Sequence, residues 1–288
     1  MDPGAFPEDG EDEGSFFSDD LAFVGEAPVV WTAVDFVNTY LSPVIVCTVE
    51  QSPATISTPL VPRVTAVTST SFWVRASDPT GASVLGVDMR CFVVEEGTYT
   101  ASADGVTMEA HTYLSTTVDS KATAYAGTPQ VFRTSFRSPI VIGQVMSSND
   151  DLPQVFWSGG LDRRFRASAG FLRTGRHIGE DTTNPTRADE VIGYVVFESA
   201  GGVIADTPTG PMSFFAGTGT AVGAVADGNE VTIEVASGLE TSSMAVVCQS
   251  GMIGGDGTWA VLVGPGAVTA TTMNVGIDEN VLGDSERT

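Results

Sequence analysis

Residues 40–50 read YLSPVIVCTVE, and residues 136–146 read FRSPIVIGQVM. The two stretches lie 96 residues apart, and Phe36 and Phe132 keep the same spacing ahead of them. In each, an aromatic stands two residues before Ser-Pro and a β-branched run follows. Further on, RCFVVEEG (90–97) parallels GYVVFESA (193–200) at an offset of 103, which places about seven inserted residues between the two markers. A third copy, SSMAVVCQSGM (242–252), puts Cys248 where the first has Cys47. Self-similarity at a spacing of about 100 residues means a duplicated unit of domain size rather than a short solenoid repeat. Pro43 and Pro139 have no N–H to give a ladder, so each suits the first position of a strand. The continuous apolar run behind each Pro reads as a strand covered on both faces.

The rest of the chain agrees with an all-β fold. VVWTAVDFV and PRVTAVTSTSFWVRA alternate apolar and polar residues, and Gly, Pro, Asn and Asp punctuate at short intervals. No window pairs a helical period with caps at both ends. EEGTYTASADGVTMEA (95–110) reads as a hairpin with Asp104-Gly105 at its tip, and Asp227-Gly228 marks a second. The expected organisation is an acidic flexible leader over 1–27, β-sandwich repeats over 28–127 and 128–232, and a partial third repeat over 233–288. In the third copy IDEN (277–280) is followed, after one Val, by LGDSERT, and the strand equivalent to EVIGYVVFE (190–198) is not found. A sandwich without a core strand leaves open edges. The expectation is therefore a fragment, or a strand supplied by another segment or by a homo-oligomer.

Charge excludes whole classes of function. Thirteen Lys and Arg face 36 Asp and Glu, for a net charge of −23. Such a surface repels phosphate backbones and anionic membranes, so nucleic-acid binding and membrane insertion are not expected. It suits a halophilic setting, where salt screens self-repulsion. No apolar run reaches the length of a membrane helix, and the acidic start lacks the pattern of a signal peptide. The three cysteines fit no zinc spacing. Cys47 and Cys91 read as small buried hydrophobes, and a disulfide between them requires neighbouring strands.

The Ser-Pro strands at 42–46 and 138–145, with Glu-Val-Ile-Gly-Tyr-Val-Val-Phe-Glu at 190–198, resemble a repeat module of large extracellular proteins of bacteria and archaea. Those modules are similar to H-type lectin domains, which are small antiparallel β-sandwiches. The resemblance covers roughly residues 30–288 and rests on strand patterns. It implies tandem lectin-like β-sandwiches and glycan recognition. It carries over no sugar-binding residue, because no loop signature of the family is present.

Candidate chemistry concentrates after the second Ser-Pro strand. SSNDDLP (147–153) gathers Asn149, Asp150 and Asp151, whose clustered oxygens suit Ca²⁺, although the D-x-[DN]-x-[DN]-G frame is missing. Phe156 and Trp157 follow; an exposed indole beside carboxylates is a sugar platform, and the alternative is a core Trp on an alternating strand. His177 stands near Asp181, without a nucleophile motif such as GxSxG, and reads as a strand-edge His pairing with an acidic neighbour. Nothing points to an enzyme. The expected function is a non-catalytic extracellular binding or adhesion module for glycans or cell-surface polysaccharide. The alternative is a structural part of a virion tail or fibre, or an adhesin stalk. Either implies a place outside the cell, on its surface or on a virion.

Overall fold

The computed structural model describes residues 22–27, 30–52, 55–81, 87–120, 125–179, 181, 186–204, 211–220, 230–235, 244–252 and 257–279. Residues 1–21 of the expected leader and the Asp227-Gly228 turn lie outside them. The described residues are all strands, turns and loops, in several largely antiparallel sheets. None of them belongs to a helix long and apolar enough to cross a membrane.

The duplicated sequence produces duplicated pairing. The Ser-Pro strand β3 (Pro43–Gln51) runs antiparallel to β6 (Val87–Glu95), with Pro43 opposite Glu95. Its counterpart β10 (Pro139–Val145) runs against β13 (Glu190–Glu198), with Pro139 opposite Glu198. The Pro cannot donate, but the two amides before it can. Glu95 accepts from the N–H groups of Leu41 and Ser42 at 2.7 and 2.6 Å. Glu198 accepts from those of Arg137 and Ser138 at 2.7 and 2.8 Å. This carboxylate clamp is why the repeat carries both a Ser-Pro and a terminal Glu. Between the clamps the copies diverge. Cys47 faces Cys91 and the two form a disulfide, whereas the matching pair in the second copy is Gly143 and Tyr194.

Three small three-stranded sheets repeat as well, the third being one end of the six-stranded sheet that also holds β3 and β6. β2 (Thr32–Asp35), β5 (Ser71–Ser77) and β4 (Val61–Thr65) are ordered β2-β5-β4. β9 (Thr128–Gln130), β12 (Leu172–His177) and β11 (Val155–Gly159) repeat that order, as do β16 (Glu230–Glu234), β18 (Thr272–Asp278) and β17 (Trp259–Val263). The registers correspond: Val61 faces Ser77, Val155 faces His177 and Trp259 faces Asp278.

Two boundaries differ from the sequence reading. Ala22–Ala27, placed in the flexible leader, forms β1 and pairs with the free edge of β6. β8 (Met108–Ser115) forms a hairpin with β7 (Gly97–Tyr99) but also pairs with β13, across the expected boundary at 127. That hairpin turns through Asp104-Gly105, with Gly105 at φ 75°. The next hairpin, β14 (Ala200–Ile204) and β15 (Met212–Ala216), follows β13 as β7 and β8 follow β6.

The Ser-Pro strands and the third copy of that sequence converge in the centre. The Cys47 amide approaches Gln144 Oε1 at 3.4 Å, and the Gly143 amide lies 3.3 Å from Cys248 Sγ. Thr48 Oγ1 donates to the Val247 carbonyl and accepts from the Val247 amide. The continuous apolar runs of β3 and β10 are thus covered by one another as well as by their own sheets, and both strands are buried along their length.

The edges of the copies also interlock. Gln144 Nε2 donates to the Pro62 carbonyl of β4. Ser158 of β11 pairs in parallel with Ser250, and β17 pairs in parallel with β3 at Leu262 opposite Glu50. Each β4-type strand therefore meets the segment that ends another copy's Ser-Pro strand.

Candidate functional site

The first small sheet carries a half-open aromatic face. In SFWVRAS (71–77) the strand period of two sends Phe72, Val74 and Ala76 into the core, where all are buried. Trp73 and Arg75 then point outward. Trp73 is 42% exposed. Its cross-strand neighbours are Ala33 on β2 and Thr65 on β4. Opposed side chains on a sheet start about 5 Å apart, and these two are too short to cover an indole. Two residues along, the Arg75 guanidinium lies 4.6 Å over the ring of Trp31, a cation–π contact that fixes both. Asp35 is exposed at the far end of β2, opposite Ser71. Thr68 adds an exposed hydroxyl in the β4–β5 turn, where its Oγ1 accepts from the Thr70 and Ser71 amides. The face thus offers a flat apolar ring, a fixed cation and a carboxylate on a rigid sheet.

The loop after the second Ser-Pro strand forms the wall beside this face. Arg63 of β4 is fully buried and faces Arg75 across the sheet. It donates to the Leu152 carbonyl at 2.7 Å, to Ser148 Oγ at 2.8 Å and to the Asp150 carbonyl at 3.1 Å. Burial lowers its pKa to about 10, with Arg75 adding to the drop and Glu190 opposing it, so Arg63 stays charged at neutral pH.

That contact decides the fate of the residues singled out on the sequence. Asn149 and Asp150 come together with Glu190, whose carboxylate accepts from both of their amides. Asn149 Nδ2 donates to the Asp189 carbonyl. The Asp150 carboxylate accepts from the amides of Leu152 and Ala188 and from Gln154 Nε2. Asp151 is exposed. The loop is a brace between copies, with the Asp150 oxygens already committed to protein donors. Among the described residues, no group of three or more His, Cys, Asp or Glu side chains is placed to hold a metal ion.

The aromatic pair is not brought to the surface, which corrects the expected exposed platform at Phe156 and Trp157. Trp157 is 0% exposed and Phe156 4%. By register Trp157 occupies the place of Arg63, and like Arg63 it is covered by another copy. Met252 and Tyr125 pack on it, and its Nε1 donates to Asp119 Oδ2 at 2.9 Å. Burial raises the Asp119 pKa, against the bonds from Gly127 and Trp157. Phe156 faces the opposite way, into a core with Tyr194 and Val141.

His177 is fully buried, with its Nδ1 accepting from the Gly179 amide. Burial lowers its pKa to about 3, so it is neutral. It lines a cavity of about 20 Å³ together with Val61, Val155 and Trp259, which hold matching register positions in the three small sheets. The buried Asp181–Arg187 pair, 2.6 Å apart, closes one side. This space is about that of one water molecule and too small for a sugar.

The face at Trp73 was missed on the sequence, although its signal is there. In SFWVRA the charged Arg75 marks the outward phase of the strand, and Trp73, two residues before it, shares that phase. Comparison with protein-family models, with curated proteins and with solved structures finds no match.

Proposed function

We propose that the chain is a non-catalytic binding module of three lectin-like β-sandwich units closed on one another, recognising glycans or cell-surface polysaccharide through the Trp73 face. The observation that carries this reading is the half-exposed Trp73 between Ala33 and Thr65, with Arg75 locked on Trp31 beside it. A sugar ring presents apolar C–H bonds on one side and hydroxyls at its rim. The first stack on an indole, and the second suit Arg75 and Asp35. A sheet holds these groups without the ordering cost of a loop.

Three matching sheet orders and the interlocked edges support the three-unit arrangement. The Cys47–Cys91 disulfide supports a place outside the cell, because such bonds persist in oxidising surroundings. Among the described residues, the platform lies in unit one. Trp73 corresponds by register to Arg173 in the second sheet and Asn274 in the third. Among the described residues, binding is therefore through one face.

The test is binding to a panel of immobilised polysaccharides in high salt, with and without EDTA. Trp73→Ala should weaken binding at least tenfold, which is about 1.4 kcal/mol. Trp73→Tyr should keep part of it, and EDTA should leave it unchanged, since one nearby carboxylate is too few for Ca²⁺. A Trp73→Ala protein that binds like the parent refutes this face as the site.

A further inference from the structure

In the first two units one long strand fills the same slot. β6 lies between β3 and β1, and β13 lies between β10 and β8. Each runs nine residues, pairs on both sides and ends on the Glu that clamps the amides before Ser-Pro. In the third unit the two flanks of this slot are present. Met244–Gln249 holds the place of β3 and β10, with Val247 on Thr48 and Cys248 on Gly143. β15 follows β14 as β8 follows β7. Among the described residues, β15 pairs only with β14, and 244–249 joins no ladder, its backbone meeting that of a strand only at its end, where the Ser158 amide of β11 donates to the Gln249 carbonyl.

Burial follows that difference. β3 and β10 are buried throughout, whereas each residue of 244–249 is half-buried. In β15 Met212, Phe214 and Phe215 are half-buried and Ser213 is exposed, while the first four residues of β8 are buried. Met212, Phe214, Val246 and Cys248 all flank one core cluster, so the two segments border the same apolar surface.

From these flanks we infer that the third unit is an acceptor for an extended segment of a partner polypeptide, inserted between β15 and 244–249. The inference rests on the three-unit reading above. The sister strands define the occupant: about nine residues, β-branched and aromatic in the middle, with a carboxylate at the C-terminal end. Main-chain pairing on both sides supplies affinity, and the apolar side chains supply register.

The test uses the full chain and two synthetic peptides, one with the sequence of Glu190–Glu198 and one with the same residues scrambled. Hydrogen exchange is followed along the chain. The native-order peptide should slow exchange at least tenfold at both 212–216 and 244–249 and raise the melting temperature, and the scrambled peptide should do neither. No protection at those segments overturns the inference, as does equal protection by the scrambled peptide. Protection accompanied by loss at 139–145 also overturns it, since that marks displacement of β13. The peptide-free exchange separates this from failure of the three-unit reading. If that reading holds, the amides of 44–51 and 140–145 are strongly protected whatever the peptide does.

Discussion

Two tryptophans on equally apolar-looking strands have opposite roles, and what covers them decides which. Trp73 faces outward with Ala33 and Thr65 beside it, so nothing tall leans on the indole. Trp157 also faces outward from its small sheet but meets Tyr125 and Met252. Those two residues lie 32 positions before it and 95 after it, which is why no local window could tell the burial of Trp157. His177 shows the same dependence on distant cover, and it makes a pH prediction. The folded chain holds it neutral, with a pKa of about 3 against the ordinary 6.5, because burial penalises the imidazolium. Below pH 6.5 the unfolded chain takes up a proton that the folded chain refuses until about pH 3. His177 therefore removes stability as pH falls through that window, at up to about 1.4 kcal/mol per pH unit. Urea unfolding at pH 7 and pH 4.5 should show a smaller loss in His177→Asn than in the parent, since Asn keeps an acceptor for the Gly179 amide. Equal losses in the two proteins would contradict a buried neutral His177.

Among the strands, the Ser-Pro and Glu-ended pair was the most legible feature, because its chemistry is local at both ends. Pro43 and Pro139 fix where the strand starts, and Glu95 and Glu198 satisfy the two amides just before it. The identical Pro–Glu register in both copies follows. The Asp104-Gly105 hairpin was legible for a similar reason, since Asp-Gly sets the turn by backbone preference alone. β1 was hidden in an acidic, Pro- and Gly-rich context, and only the open edge of β6 reveals that 22–27 pairs. The bond of β8 to β13 was hidden too, because a strand can serve a neighbouring unit without any mark in its own sequence. The clamp sets a testable magnitude. Each Glu accepts two charge-assisted hydrogen bonds from amides that no other group satisfies in the ladder. Glu95→Ala should lower stability by about 2–3 kcal/mol. Glu95→Gln, which keeps one acceptor, should lose less. Chemical denaturation measures both, and an Ala variant within about 0.5 kcal/mol of the parent would remove the clamp from the explanation of the repeat.

Taken whole, the molecule answers why one strand was written three times. The strands β3 and β10 and the segment 244–249 meet one another in the centre, and β4, β11 and β17 each meet the end of one of these three segments. Those contacts cover part of the outward faces. Arg63, Trp157 and Val261 hold matching register positions on the three small sheets, and all three are fully buried. The Trp73 face stays half-open, and Trp31, Ala33, Thr65 and Arg75 around it all lie in the first repeat. The chain has four tryptophans, so the indole N–H signals in a proton–nitrogen spectrum form a small assignable set. Titration with the best-binding polysaccharide should shift Trp73 and Trp31 while Trp157 and Trp259 stay in place. Shifts confined to Trp157 or Trp259, or a saturating titration that moves none of the four, would contradict recognition at the Trp73 face.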